Sequence, residues 1–358
     1  MSDPLILVYN ADDNFAMGLA VSIRSAMEHL PPEQPVMAHI IDGGFSPQVK
    51  ERVISSLQFS NLKLEWVTPT EEHFLSFAEM PEIPKKWPLV VNYRLLMADL
   101  LPSCSKALYL DADTIVLDDI RALWNQNMGG NLVGMVPMRD RVSDTISGYR
   151  ELGLDGNRAY YNSGVVLADL QGLRSGGFVK KLLDFMIQHQ DSIRFPDQDA
   201  LNVVLDGKLE PLDQRWNSML KGGRAQLRRA ISKLGIGGSP LEDVGILHYT
   251  ERKPWELGCA HAYREEFFDV LDRTAWRGWR PPTSEDPPVS GKLAPRLRGS
   301  EKVGGGLEED RDAEALFGEF QEEDGSADVG AERDLGLRAI EGSRRLTADP
   351  VALVEDGG

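Results

Sequence analysis

The chain has 358 residues, 42% of them hydrophobic, with 39 Lys and Arg against 56 Asp and Glu and a formal charge of -17. That length suffices for one large α/β domain or two smaller ones with a sizeable core, and the negative charge repels phosphate backbones, which excludes nucleic acid as a partner. The two cysteines, Cys104 and Cys259, are too few and too far apart for a zinc framework or a disulfide scaffold, and read as thiols of a reducing compartment.

The first residues, Met1 to Tyr9, lack the basic and long apolar regions of a signal peptide, and no run approaches the roughly 18 apolar residues of a membrane span. A soluble, cytoplasmic protein is expected. Leu5 to Tyr9 reads as a strand, Phe15 to Leu30 as a helix with apolar spacing at Leu19, Ile23, Ala26 and Leu30, and Val36 to Ile41 as a second strand. Gln48 to Leu57 and Leu62 to Val67 continue the pattern, giving the βαβαβ start of a mononucleotide-binding half. A helix is predicted over Asn92 to Leu101, and a central strand from Lys106 to Tyr109 running into Asp111. The fold class implied is α/β, a Rossmann-like, mixed but mostly parallel sheet with helices on both faces.

Composition changes near Pro281. From there to Gly358 there are 19 acidic and 9 basic residues, rich in Gly and Pro and poor in aromatics. Such a segment buries too little apolar area to offset chain entropy. Residues 1–280 are therefore expected to form the domain, and residues 281–358 a largely disordered acidic tail with at most a short helix at Leu335 to Leu346.

Asp111 and Asp113 interrupt what is otherwise a continuous apolar strand, Lys106 to Leu117. Like charges that close are costly unless a cation compensates them. In an extended segment, residues i and i+2 project to the same side, so both carboxylates can reach one ion, and oxygen ligands suit Mn²⁺ or Mg²⁺. Asp-x-Asp alone is common in solvated loops; its apolar flanks are what single it out. His248, directly after the apolar Val244 to Leu247, is the candidate third ligand.

With these residues in place, the chain resembles glycosyltransferase family 8, particularly the bacterial lipopolysaccharide-type α-galactosyl and α-glucosyltransferases. Five segments match in order: Asn10 to Phe15, Tyr109 to Asp113, Tyr161 to Val165, Phe195 to Asn202, and His248-Tyr249 with Lys253-Pro254-Trp255. The resemblance implies a GT-A fold, UDP-glucose or UDP-galactose as donor, and retention of configuration. It places Asn10, Asp12, Asn14 and Phe15 at the nucleotide, Arg94 at the sugar and diphosphate, and Asp111, Ala112 and Asp113 at the metal motif. Asn162 and Ser163 would bracket the sugar, Asp197 and Gln198 would lie at the reacting carbon with Asp199 beside them, and Lys253 would contact phosphate. Asp12 could instead cap the following helix, and Asp197 could cap a helix beginning at Gln198. Asp140 is a looser candidate. Where many members have a glycine after the ligand histidine, this chain has Thr250-Glu251-Arg252, so Arg252 could assist Lys253.

The implied chemistry is departure of UDP through an oxocarbenium-like state, with metal and Lys253 stabilising the leaving charge. Gln198, a neutral amide, is a poor nucleophile, which favours front-face attack over double displacement. The expected acceptor is a saccharide or glycolipid, with loops such as 139–153 and 220–240 choosing it. The aromatic and Arg-rich stretch Tyr263 to Arg280 either packs on the core or touches the inner membrane. Alternatives are a glycogenin-like self-glucosylating initiator using Tyr160 or Tyr161, and a silent nucleotide-sugar binding module. A nucleotidyltransferase would normally show a Gly-rich activation loop, absent here.

Overall fold

In the computed structural model, which describes residues 3–71, 73, 88–219 and 241–282, the chain opens with β1 (Leu5–Ala11), α1 (Ala16–Glu28), β2 (Val36–Asp42), α2 (Pro47–Ser55) and β3 (Leu62–Val67). The strands lie parallel, with β1 beside β2 and β2 beside β3. Asp12 does act as a cap: it accepts the Asn14 N–H at 2.9 Å and closes a 3-10 turn over Asp13–Phe15, so α1 starts only at Ala16. Pro47 opens α2 at its first position, where a missing N–H costs nothing.

A 3-10 segment, Leu89–Leu96, then leads into α3 (Met97–Leu100). The α-helix predicted over Asn92 to Leu101 is therefore a single α turn preceded by tighter 3-10 turns. Val90 and Val91 are β-branched and Asn92 is a buried amide, none of which favours regular helix.

The remaining elements are β4 (Lys106–Leu110), β5 (Thr114–Val116), α4 (Arg121–Trp124), β6 (Val133–Arg141), α5 (Val142–Thr145), β7 (Ala159–Asp169), α6 (Leu170–Ser175), α7 (Phe178–Gln188), α8 (Pro196–Val204), β8 (Leu209–Pro211), β9 (Ile246–His248) and α9 (Arg264–Leu271). Among the described residues, seven strands form one mixed sheet in the order β3-β2-β1-β4-β7-β6-β8, with β7 antiparallel to both neighbours; β5 and β9 form a separate antiparallel pair.

Side-chain alternation distributes the sheet's residues between two cores. Leu5, Leu7 and Tyr9 of β1 and Leu108 and Leu110 of β4 meet α1 and α9 on one face. Val8, Ala107 and Tyr109 meet α3, α6 and α7 on the other. On α7 the buried residues Phe178, Val179, Leu182, Leu183 and Met186 recur every three or four positions and make one apolar stripe. Phe267, Phe268 and Trp276 are buried in the first core. Those three rings of the Tyr263 to Arg280 stretch thus pack on the domain and offer no face to lipid. The tail beyond Pro282 and the 220–240 loop lie outside the described residues.

Candidate active site

The carboxyl ends of β1 and β4 lie side by side and bring Asn10 next to Asp111, at the edge where open α/β sheets bind ligands. After Leu110 the chain turns: Asp111 O accepts the Thr114 N–H at 3.2 Å and the Thr114 hydroxyl at 2.8 Å. The two aspartates therefore converge through a tight turn at Asp111–Asp113, not through the alternation of an extended strand. Tyr249 N–H donates to Asp113 O at 3.0 Å, and β5 pairs with β9 so that Thr114 faces His248.

This pairing delivers the third group. His248 Nε2 lies 3.2 Å from Asp113 Oδ1 and 3.6 Å from Asp111 Oδ2. One ligand atom from each of Asp111, Asp113 and His248 falls within 4.8 Å of the others. Two carboxylate oxygens and an imidazole nitrogen are a donor set that fits a divalent metal ion. Ala112 sits between the aspartates with its carbonyl toward Gly18 of α1 and is buried.

Charges are arranged around this cluster in pairs. Lys253 Nζ is 2.5 Å from Asp113 Oδ2 and donates to Tyr249 O at 2.7 Å. Burial works against the Asp113 charge, but the Lys253 ammonium beside it outweighs that effect and holds the carboxyl well below the usual carboxylate range. Burial likewise opposes the Lys253 charge, and Asp113 reverses that effect and raises the ammonium's pKa. Arg252 does not join Lys253; its guanidinium donates to Leu257 O at 2.8 Å.

Arg94 lies beneath the cluster, only 7% exposed. Its Nη2 is 2.8 Å from Asp111 Oδ1, its Nε 3.1 Å from Asp197 Oδ2, and its Nη1 donates to Ser163 O at 2.8 Å. One guanidinium thus serves two carboxylates, so burial dominates at Asp197 and raises its carboxyl above the usual range. Asp197 also accepts the Ser163 hydroxyl at 2.8 Å. Asp199 points elsewhere. It accepts the buried Tyr160 hydroxyl and the N–H groups of Arg194, at 2.8 Å, and Phe195, at 3.0 Å. The helix begins at Pro196, so the capping role falls to Asp199 reaching back, and not to Asp197.

Asn10 is drawn inward: its Nδ2 donates to Val90 O at 2.7 Å, and its Oδ1 lies 2.5 Å from the Tyr109 hydroxyl, which is also 2.7 Å from Asp111 Oδ1. Asp12 is half-buried and Asn14 exposed at the end of β1, while Phe15 stacks edge-on against Trp255 with centroids 5.6 Å apart. Asn162, Ser163 and Gln198 are joined by hydrogen bonds where β7 bulges: Met135 pairs with Val166, but its neighbour Val136 pairs with Asn162, leaving Ser163, Gly164 and Val165 looped out of the ladder with β6. Asp140 is exposed on β6 and outside this cluster.

One residue of the cluster, Asn217, carried no sequence signal, while Tyr109 stood in the matched segment Tyr109 to Asp113 without an assigned role. Asn217, 1% exposed, lies 2.8 Å through its Oδ1 from His248 Nδ1. Tyr109, fully buried, lies with its ring under the Arg94 guanidinium, 4.6 Å from the centroid.

The seven-stranded sheet, covered on both faces and carrying an acidic pair at the end of its central strand, defines the class of GT-A-fold glycosyltransferases. Residues 6–258 match the model for glycosyl transferase family 8, and the chain belongs to that family. General stress protein A of Bacillus subtilis is 28% identical over 284 residues, covering 75% of this chain and 94% of that protein. The lipopolysaccharide 1,2-glucosyltransferase of Escherichia coli is 24% identical over 287 residues, covering 77% and 80%. Among solved structures, the galactosyltransferase LgtC, crystallised with donor and acceptor sugar analogs, superposes with a TM-score of 0.61 at 25% identity over 75% of this chain and 96% of its own. No helix of the described residues is long and apolar enough to cross a membrane.

Proposed function

We propose that this protein is a metal-dependent hexosyltransferase that moves glucose or galactose from a UDP-sugar to an acceptor hydroxyl with retention of configuration. The acceptor would be a saccharide or glycolipid of the cell envelope, a reading supported by likeness to the Escherichia coli lipopolysaccharide enzyme. The observation that carries the proposal is the convergence of Asp111, Asp113 and His248 beside two cations, the buried Arg94 and the half-buried Lys253. Three carboxylates, those of Asp111, Asp113 and Asp197, face two cations, which leaves negative charge for a divalent ion to balance. When bound, Mn²⁺ or Mg²⁺ would act as a Lewis acid on the diphosphate.

The chain's own residues divide the remaining work. Lys253, held at the ion cluster, stabilises charge on the departing phosphate. Arg94 holds Asp111 and Asp197 in place from below. Asp12 and Asn14, at the carboxyl end of β1, take the uracil and ribose, with Phe15 beside the base. Asn162, Ser163, Asp197 and Gln198 line the sugar. Asp197 is occupied by Arg94 and Ser163, which supports front-face attack over a covalent intermediate on that carboxylate. The self-glucosylating alternative is not supported at Tyr160, which is 0% exposed and hydrogen-bonded to Asp199.

The test is UDP release from a panel of UDP-sugars, with Mn²⁺ and with chelator, followed by NMR assignment of the product anomer. One UDP-hexose turning over only with metal, with an α-linked product, is the expected result. Absence of turnover and of binding for every UDP-sugar would sink the donor assignment.

A further inference from the structure

We infer that the backbone of the β7 bulge, acting through Asn162 and Asn217, determines which nitrogen of His248 carries the proton, and that Asn217 is thereby a positioning residue of the candidate metal site. The inference rests on the proposed function.

A backbone N–H can only donate. Gly164 N–H lies 2.9 Å from Asn162 Oδ1, so the oxygen of that amide must face it. Ser163 N–H, 3.1 Å from Gln198 Oε1, orients Gln198 in the same way. With Asn162 so fixed, its Oδ1 takes a second hydrogen from Asn217 Nδ2 at 2.7 Å, and its Nδ2 donates to Gln198 Oε1 at 2.8 Å. Asn217 must then turn its own Oδ1 toward His248 Nδ1, 2.8 Å away, and only a protonated Nδ1 satisfies that contact. The lone pair of Nε2 is left facing Asp111 and Asp113, the form in which an imidazole ligates a metal.

The same polarity has an outcome at the other end of the chain of amides. Both lone pairs of Gln198 Oε1 are taken, by Asn162 and Ser163, while its Nε2 touches Met138 Sδ at 4.0 Å. Gln198 therefore keeps no free lone pair on its oxygen with which to act as a nucleophile.

Asn217→Ala removes both contacts of the residue, whereas Asn217→Asp keeps an acceptor for Nδ1–H and loses the donor to Asn162. Mn²⁺ affinity would be measured by EPR without any donor sugar, alongside heteronuclear NMR of the His248 ring nitrogens and steady-state UDP release. Asn217→Ala is expected to weaken Mn²⁺ binding about 10- to 100-fold, and Asn217→Asp to keep near wild-type affinity while kcat falls about tenfold or more. In the wild type the ring should be the Nδ1–H tautomer. A wild-type ring protonated on Nε2 alone, or unchanged Mn²⁺ affinity in folded Asn217→Ala, overturns the inference and leaves the functional reading standing. Wild-type protein that binds no Mn²⁺ overturns both.

Discussion

Gly164 and His248 approach too closely for any side chain to stand between them: a Cβ at residue 164 would lie 2.2 Å from His248 Cε1, 2.6 Å from its Nδ1 and 2.9 Å from Asp111 Oδ2. The glycine is required by proximity to the imidazole ring. Gly164→Ala should therefore cost about 1–3 kcal/mol of stability through overpacking. Because the ring must move, Mn²⁺-dependent UDP release should fall at least about tenfold. Thermal unfolding and the release assay check the two effects separately; a wild-type rate in the variant would mean that the ring can yield without leaving the aspartates.

Gly18 offers a sharper contrast, because ordinary helix propensity points the other way. Replacing a helical glycine by alanine normally stabilises by roughly 0.5–1 kcal/mol. A Cβ at residue 18 of α1 would instead meet Ala112 O at 2.4 Å and Trp255 Cη2 at 2.6 Å. Gly18→Ala should lower the denaturant midpoint, and a raised midpoint would show that α1 has room to shift away from the Asp111–Asp113 turn.

Asp197 and Asp199 are two residues apart in the first turn of α8 and should fail differently. Burial raises the Asp197 carboxyl above its ordinary range, so its ionised form is held at a cost. Its contribution favours folding only below the unfolded value of about 3.9 and is lost as pH rises through the folded value. Asp197→Asn, which can still accept from Ser163 and Arg94, should keep or raise Tm at neutral pH while turnover falls about 100-fold or more. Asp199→Ala should do the reverse. It strands the buried Tyr160 hydroxyl and two N–H groups at the start of α8, a loss of about 1–3 kcal/mol, with turnover per folded molecule little changed. Matching profiles for the two variants would contradict the division of labour.

His39 gives the fold a pH dependence away from the site. It is 5% exposed on β2, with Nδ1 3.3 Å from Glu65 Oε2; burial lowers its pKa and Glu65 offsets this only in part. The unfolded chain takes up this proton near pH 6.5 and the folded chain resists it, so stability is full above about 6.5 and declines as pH falls. Wild type should lose more Tm between about pH 7.5 and 5.5 than His39→Gln. Equal losses would mean that His39 protonates freely in the folded protein.

The first half of the sheet was legible because β1 and β2 are short runs rich in apolar residues and β3 alternates apolar with charged residues, each bounded by a turn. The acidic pair was legible because charge inside an apolar stretch requires compensation. Its geometry was not: a three-residue turn and an extended strand place carboxylates two apart equally well in sequence, and only the Thr114 hydrogen bonds distinguish them. Asn217 was hidden because it sits in a polar stretch, Gln214 to Asn217, without periodicity, and its partners are 31 and 55 residues away. The β7 bulge was hidden for a related reason, since register against β6 is a property of the pair and not of either strand. The exchange of capping from Asp197 to Asp199 follows from Pro196 taking the first helical position, which moves the helix start two residues ahead of Gln198.

On the proposed function, one divalent ion sits between Asp111, Asp113 and His248 and serves a uridine diphosphate. Crystals grown with Mn²⁺ and UDP, measured at the manganese absorption edge, test it most directly. A single anomalous peak within coordination distance of both carboxylates and His248 Nε2, with UDP oxygens completing the shell, is the result predicted. An anomalous peak at other residues, or UDP bound with the three side chains bare of metal, would contradict it.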